Sequence, residues 1–283
     1  MINAGVLAIA GCAPLPAWLV PGAQPRSPHE VTESSTPSEN PSSVLARKAT
    51  PGNNIQAIDL AFDVVRVDLP ISGVRHSRKV WNHVDELRLD PQSAALLARN
   101  GLRIGAASPD AWPAIRAIFE AAEADIRRDQ LVAQRGLPLT IHVGSIGDSE
   151  SVFSYGADQR LVGKTFPAGD KLVNLDYLFH PELGGNTEVR VSFEIRHDRG
   201  VLTWEQRNGV VEQVPDYDRH VFADLSPALT LNAGEFLVLG LSDQAKNEYL
   251  LGSRFLTRAE SGKRYETLLC LTPQPYQAQG AKR

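Results

Sequence analysis

Apolar and polar positions from residue 57 to about residue 145 switch repeatedly between strand and helix periods. Ala57 to Leu69 is valine-rich and ends in alternation, the pattern of a strand, and Pro70 stops it. Val80, Trp81, Val84 and Leu87 then recur at the spacing of one helix face. Asp90 can cap a second helix with Pro91 in its first turn; Ala94, Ala95, Leu96 and Leu97 form its body and Asn100-Gly101 its end. Leu102-Arg103-Ile104-Gly105 reads as a short strand. Ser108-Pro109-Asp110 opens a third helix, expected from Ala111 to about Arg128, with Trp112, Ile115, Ile118 and Phe119 as its apolar stripe. Leu139 to Val143 closes the series as a strand, so residues 57–145 are expected to form a small α/β module.

Beyond Gly144 helical periodicity gives way to short alternating runs separated by turn residues. Leu172 to His180 and Thr187 to Ile195 read as strands joined at Gly184-Gly185-Asn186, and Val201 to Glu205 follows a turn at Asp198-Arg199-Gly200. Ala228 to Leu231 is expected to meet Phe236 to Gly240 across Asn232-Ala233-Gly234-Glu235, and Tyr265 to Leu271 is a last strand ending at Pro273. The predicted fold class is therefore α+β: an N-terminal α/β module followed by an antiparallel β-rich domain over residues 146–276, a sheet or a sandwich. Residues 277–283 read as a disordered tail.

The chain ahead of this region is of another kind. Residues 13–56 are rich in Pro, Ser, Thr, Asn and Glu, and such a stretch buries too little apolar surface to offset its ordering entropy, so a flexible tether is expected. Before it, Leu7-Ala8-Ile9-Ala10-Gly11-Cys12 is an apolar run closing on small residues and a thiol. Residues 1–12 thus resemble a bacterial lipoprotein signal peptide, although no Lys or Arg precedes Cys12. The resemblance implies lipidation at Cys12 and a periplasm-facing protein of the bacterial cell envelope, lipid-anchored at the outer membrane. Trp18, beside Leu19 and Val20, is the aromatic residue placed to rest at a lipid interface.

Composition narrows the partners. A net charge of −4 over 283 residues argues against a broad nucleic-acid footprint, and no nucleic-acid partner is expected. The two cysteines are Cys12 and Cys270; with Cys12 lipidated no disulfide remains, and Cys270, inside Leu268-Leu269-Cys270-Leu271, reads as a small buried hydrophobe. No stretch approaches the roughly 20 apolar residues of a spanning helix, so membrane contact is expected through the lipid anchor.

Side chains able to do chemistry do not converge. His76 and His83 stand seven apart, beyond the i, i+4 spacing at which two imidazoles share a zinc ion, and His180 and His197 flank a predicted hairpin without a third ligand. Asp85 and Glu86 are adjacent on a predicted helix and diverge by about 100°. Ser145, Ser149, Ser151 and Ser154 occupy a predicted polar loop without a nucleophile elbow, and Gly163-Lys164-Thr165 lacks the earlier glycine of a phosphate loop. Asp216 and Asp218, around Tyr217, read as a hydrated turn; they are the acids to consider for an exported hydrolase or carbohydrate-active β domain. No catalytic, cofactor or metal residue is assigned.

Three segments resemble the C-terminal region of the secretin family, the outer-membrane pore proteins of bacterial secretion and pilus systems. Residues 171–182, Lys171 to Glu182, are similar to a secretin strand that ends in proline before a hairpin. Residues 229–240 resemble its strand, glycine turn and strand, and residues 266–274 its closing apolar strand and Thr-Pro. The resemblance covers about residues 165–275 and implies a shared β architecture. The polar run Ser242 to Glu248 stands where a secretin shows an apolar, proline-bearing approach to its gate, which argues against a pore in its own right. The sequence therefore predicts a non-enzymatic envelope protein acting in assembly or binding, with protein partners or further copies of itself, and leaves open an accessory subunit of a secretion channel.

Overall fold

The computed structural model describes residues 58–71, 77–133, 136–207, 210–243 and 247–277. Cys12, the tether, Trp18, His76 and residues 278–283 lie outside the described residues. The first expected strand is present as β1 (Ile58–Pro70), and the short helix α1 (Ser77–Trp81) follows. This helix ends well before Leu87: Asp85 instead caps a 3-10 turn at Glu86–Arg88 by accepting from the Leu87 amide, which leaves Leu87 94% exposed. Helix α2 (Pro91–Arg99) is as expected, with the Asp90 carboxylate accepting from the Gln92 and Ser93 amides and Gly101 at φ 78° beyond its end.

Strand β2 (Leu102–Ala107) leads to α3 (Trp112–Ala121). The third helix is shorter than its stripe suggested, because Glu123 turns to φ 51° and the chain leaves as β3 (Asp125–Ala133), a mostly exposed strand whose polar composition hid it. The remaining strands are β4 (Leu139–Tyr155), β5 (Leu161–His180), β6 (Asn186–Arg207), β7 (Val210–Val221), β8 (Ala228–Leu231) and β9 (Phe236–Leu241). Helix α4 (Leu251–Leu256), β10 (Thr257–Glu260) and β11 (Lys263–Gln277) complete the described chain.

Two antiparallel sheets result. The first runs β2-β9-β11-β1-β3 with β10 on β11; the second runs β4-β5-β6-β7 with β8 on β6. The boundary expected between residues 145 and 146 falls inside β4, and the first sheet takes strands from both sides of it. Alternation along β1 explains the layering. Leu60, Phe62 and Val64 enter a core shared with Val173, Leu175, Val191 and Phe193 of the second sheet, whereas Val65, Val67 and Leu69 enter another with Trp81, Ile115 and Phe119 of α1 and α3. The first sheet is thus covered on one face by helices and on the other by the second sheet.

Several connections differ from the sequence expectation for reasons of layering. β8 and β9 do not pair with each other: Thr187 to Arg190 of β6 receive β8, while β9 lies between β2 and β11, so the Asn232 to Glu235 turn carries the chain between sheets. Asp198-Arg199-Gly200 is no hairpin turn. It is a register shift inside β6, where Gly200 takes φ 69° and its amide donates to the Asp198 carboxylate. β11 continues through Pro273 and Pro275 because β9 pairs only with Leu269 to Leu271, and the prolines fall where no described neighbour on that side needs their N–H.

Asn100 joins the layers. Its side chain donates to the Leu96 carbonyl at 2.9 Å and the Tyr155 carbonyl at 3.1 Å and accepts from the Tyr155 amide at 2.8 Å, while its own carbonyl accepts from Gly252 at 2.8 Å. It is fully buried. Asn100→Ala would leave the Tyr155 amide and carbonyl without that partner, and a loss of about 2–4 kcal/mol is expected in urea unfolding.

Candidate functional site

The second sheet ends in a ribbon that no described residue covers. β6 and β7 pair beyond the register shift from Leu202↔Pro215 to Arg207↔Val210. Strand alternation puts Leu202, Trp204, Val211 and Pro215 on one face of this ribbon. Leu202, Trp204 and Val211 are 61%, 66% and 59% exposed. Apolar side chains usually leave water on folding, and a two-stranded ribbon alone is marginally stable, so this face is suited to contact. Trp204 is therefore a surface residue, unlike Trp81, which packs in the helix-side core.

The β7 edge of the same sheet is open, whereas the β4 edge is partly taken: Asn100 holds the Tyr155 amide and carbonyl, the Phe153 amide donates to the Tyr249 carbonyl, and Arg66 donates to the Val143 carbonyl. Among the described residues β7 pairs only with β6, and β4 pairs with β5 apart from one bridge between Phe153 and Leu250. Unpaired strand edges present amide and carbonyl groups to any further strand.

On the outer face, Glu194 organises a charged network. It accepts from Asn174 at 2.7 Å, Arg196 at 3.0 Å and Arg219 at 2.8 Å, and Asn174 accepts from Thr140 at 2.8 Å. Burial alone would raise the Glu194 pKa, but the hydrogen bonds from Arg219, Arg196 and Asn174 outweigh it and hold the carboxyl at about 2.

Between the two sheets the apolar interlayer gives way to charge. β1 carries its inward series on from Phe62 and Val64 to Arg66 and Asp68, and β5 carries Lys171 in line with Val173 and Leu175. A cleft of about 690 Å³ opens there, lined by Arg66, Lys171, Arg254, Arg258 and Arg264 against the carboxylates of Glu150 and Glu248. Asp68, 1% exposed, stands behind it, accepting from Thr267 at 2.6 Å and lying 3.1 Å from Arg258 Nε and 3.6 Å from Arg66 Nε. Lys171 donates to Glu150 at 2.9 Å and to the Arg254 carbonyl at 2.8 Å; burial pushes its pKa down against the pull of Glu150.

The sequence candidates do not assemble into a catalytic set. Ser145, Ser149, Ser151 and Ser154 lie in β4 rather than in a loop. Ser145 does meet His142 and Asp170, but His142 Nε2 faces both the hydroxyl and the carboxylate at 3.1 Å, whereas a triad needs the acid on the other ring nitrogen. Asp216 and Asp218 lie in β7, not in a turn, and both face Arg199, at 3.2 and 3.9 Å. His180 pairs with Asn186 and His197 with Asp218, eleven residues further along β6 and so about 35 Å away. His83 is an exposed turn residue, Asp85 and Glu86 are paired with Arg88 and Arg103, and Gly163, Lys164 and Thr165 lie within β5. Cys270 is buried as expected, and desolvation pushes its thiol up to about 12. The ribbon and the interlayer cleft escaped sequence reading, since exposure of an alternating strand and the meeting of residues from β1, β5, α4 and β11 leave no local signal.

Comparison with protein-family models finds no match, and no curated protein matches the chain. Among solved structures the chain is similar to the InvG secretin domain β-barrel from the Salmonella SPI-1 injectisome NC-base, with a TM-score of 0.23 and 12% identity, over 80% of this chain and 64% of that one. The chain thus spans less than two thirds of that structure's length.

Two outcomes follow for titratable groups. Because the folded pKa of Glu194 is about 2 against an ordinary 4.5, its contribution is complete above pH 4.5 and fades as pH falls through about 2. In urea unfolding between pH 2 and 5, Glu194→Gln should flatten that part of the profile and cost about 2 kcal/mol at pH 7. Cys270 should resist alkylation in the folded chain, read by mass spectrometry of its peptide, and react once denaturant unfolds the core.

Proposed function

We propose that the protein is a non-enzymatic assembly protein of the bacterial cell envelope, held by a lipid on Cys12, that joins copies of itself through the edges of its second sheet. The observation that carries this reading is the β6–β7 ribbon, which no described residue covers, with Leu202, Trp204 and Val211 exposed. The order β4-β5-β6-β7 supports the mode of contact. Strand direction alternates across it, so β7 of one copy and β4 of the next would continue the antiparallel order. A head-to-tail contact of this kind closes into a ring or extends as a filament. The secretin resemblance of residues 165–275 fits such a role. The hydrolase alternative is weaker, because Asp216 and Asp218 are ion-paired to Arg199 and do not line the interlayer cleft.

Sedimentation of the full chain in mild detergent should show species larger than a monomer. Trp204→Ser with Val211→Lys should shift them toward monomer with an unchanged circular dichroism spectrum, and Trp204 emission should move to the red on dilution. A monomer at all concentrations would overturn the assembly reading. Separately, Cys12→Ser expressed in a bacterium should abolish metabolic labelling by palmitate; an unlabelled parent protein would remove the anchor.

A further inference from the structure

The geometry points to the interlayer cleft as a binding site for a small oxyanionic ligand, one bearing a phosphate or carboxylate group. The site is independent of the assembly reading. Its floor forms where the inward-facing series of two strands change character at the same level, Val64 to Arg66 on β1 and Val173 to Lys171 on β5. A closed sandwich would place apolar side chains here. Instead five cationic side chains line the cleft against two carboxylates, in a chain whose net charge is −4.

Arg66, Lys171 and Arg258 already donate within the protein, to the Val143 carbonyl, to Glu150 and the Arg254 carbonyl, and to Glu260, whereas Arg254 and Arg264 keep their outer ends available. Arg254 has its Nε 3.4 Å from Glu150, its guanidinium lies 4.7 Å over the Tyr249 ring, and it donates no hydrogen bond among the described residues. Arg258 is held by Asp68 at 3.1 Å, by Glu260 on Nη1, by Asp125 at 3.9 Å from Nη2 and by the Tyr265 ring at 4.8 Å, and contributes charge to the wall. Arg264 makes no side-chain hydrogen bond or ion pair among the described residues. A guanidinium fixed by one carboxylate and one ring, as Arg254 is, keeps a set orientation, and its terminal N–H pair matches two oxygens of a phosphate or carboxylate. The partly desolvated walls strengthen that attraction relative to open water. At about 690 Å³ the cleft falls in the range of small-molecule sites.

The test uses the folded full chain titrated calorimetrically with inorganic phosphate and, separately, citrate, against sodium chloride of equal ionic strength, with thermal unfolding as a second readout. At least one oxyanion should release or absorb heat saturably and raise the unfolding midpoint above the chloride control. A response to phosphate alone supports a phosphate-bearing ligand, to citrate alone a carboxylate-bearing one, and to both a site for either group. Arg254→Gln and Arg264→Gln should each weaken binding about tenfold. Arg264 is exposed, so its variant keeps the test valid if Arg254→Gln does not fold. Responses equal to chloride, or oxyanion binding unchanged in Arg264→Gln, would overturn the assignment.

Discussion

The ladder between β1 and β11 is the pairing on which the other layers rest. It runs without a register shift from Ile58↔Gln277 to Pro70↔Tyr265, joining segments some two hundred residues apart in the chain. Because side chains alternate across a strand, this one ladder presents Leu60, Phe62 and Val64 to the second sheet and Val65, Val67 and Leu69 to the helices. A slip of one residue would exchange those faces, placing Asp63 and Arg66 against the wrong layer. Register in β1 and β11 therefore sets both cores at once.

The same alternation explains why the interlayer is not apolar throughout. Once the inward positions of β1 become Arg66 and Asp68, charge must be matched from the opposing layer or from nearby elements. Arg66 of β1 and Arg258 of β10 flank Asp68, the Thr267 hydroxyl donates to it, and Lys171 of β5 pairs with Glu150 of β4 beside them. Taking such groups out of water is costly unless each finds partners, which favours a cleft over a sealed core. A polar opening between packed sheets is then a consequence of strand register.

The outer part of the second sheet obeys a different constraint. Near the sandwich, Glu194 with Arg196, Arg219 and Asn174 satisfies buried polar groups within the sheet. Past the shift between Asp198 and Leu202 the strands leave that support, and the ribbon exposes apolar residues on a two-stranded frame. The open edge of β7 and an apolar ribbon that no described residue covers are the features on which the proposed self-assembly rests.

Local chemistry was legible wherever a residue acts on its own neighbours: the Asp90 cap, Pro91 at the start of α2, Gly101 after it, the Gly184-Gly185 turn and the burial of Cys270 are all written in short stretches. Periodicity likewise marked β1, β2 and the β-rich second half. β3 was not legible, since an edge strand needs no inward apolar series, and helical spacing at Val84 and Leu87 misled because the chain there turns to bridge Asp85 with Ala106. The cleft and the ribbon were settled only in three dimensions. Which strand lies beside which, and where a register shift falls, depends on contacts between distant segments, and those decide whether an arginine is solvated or built into a wall.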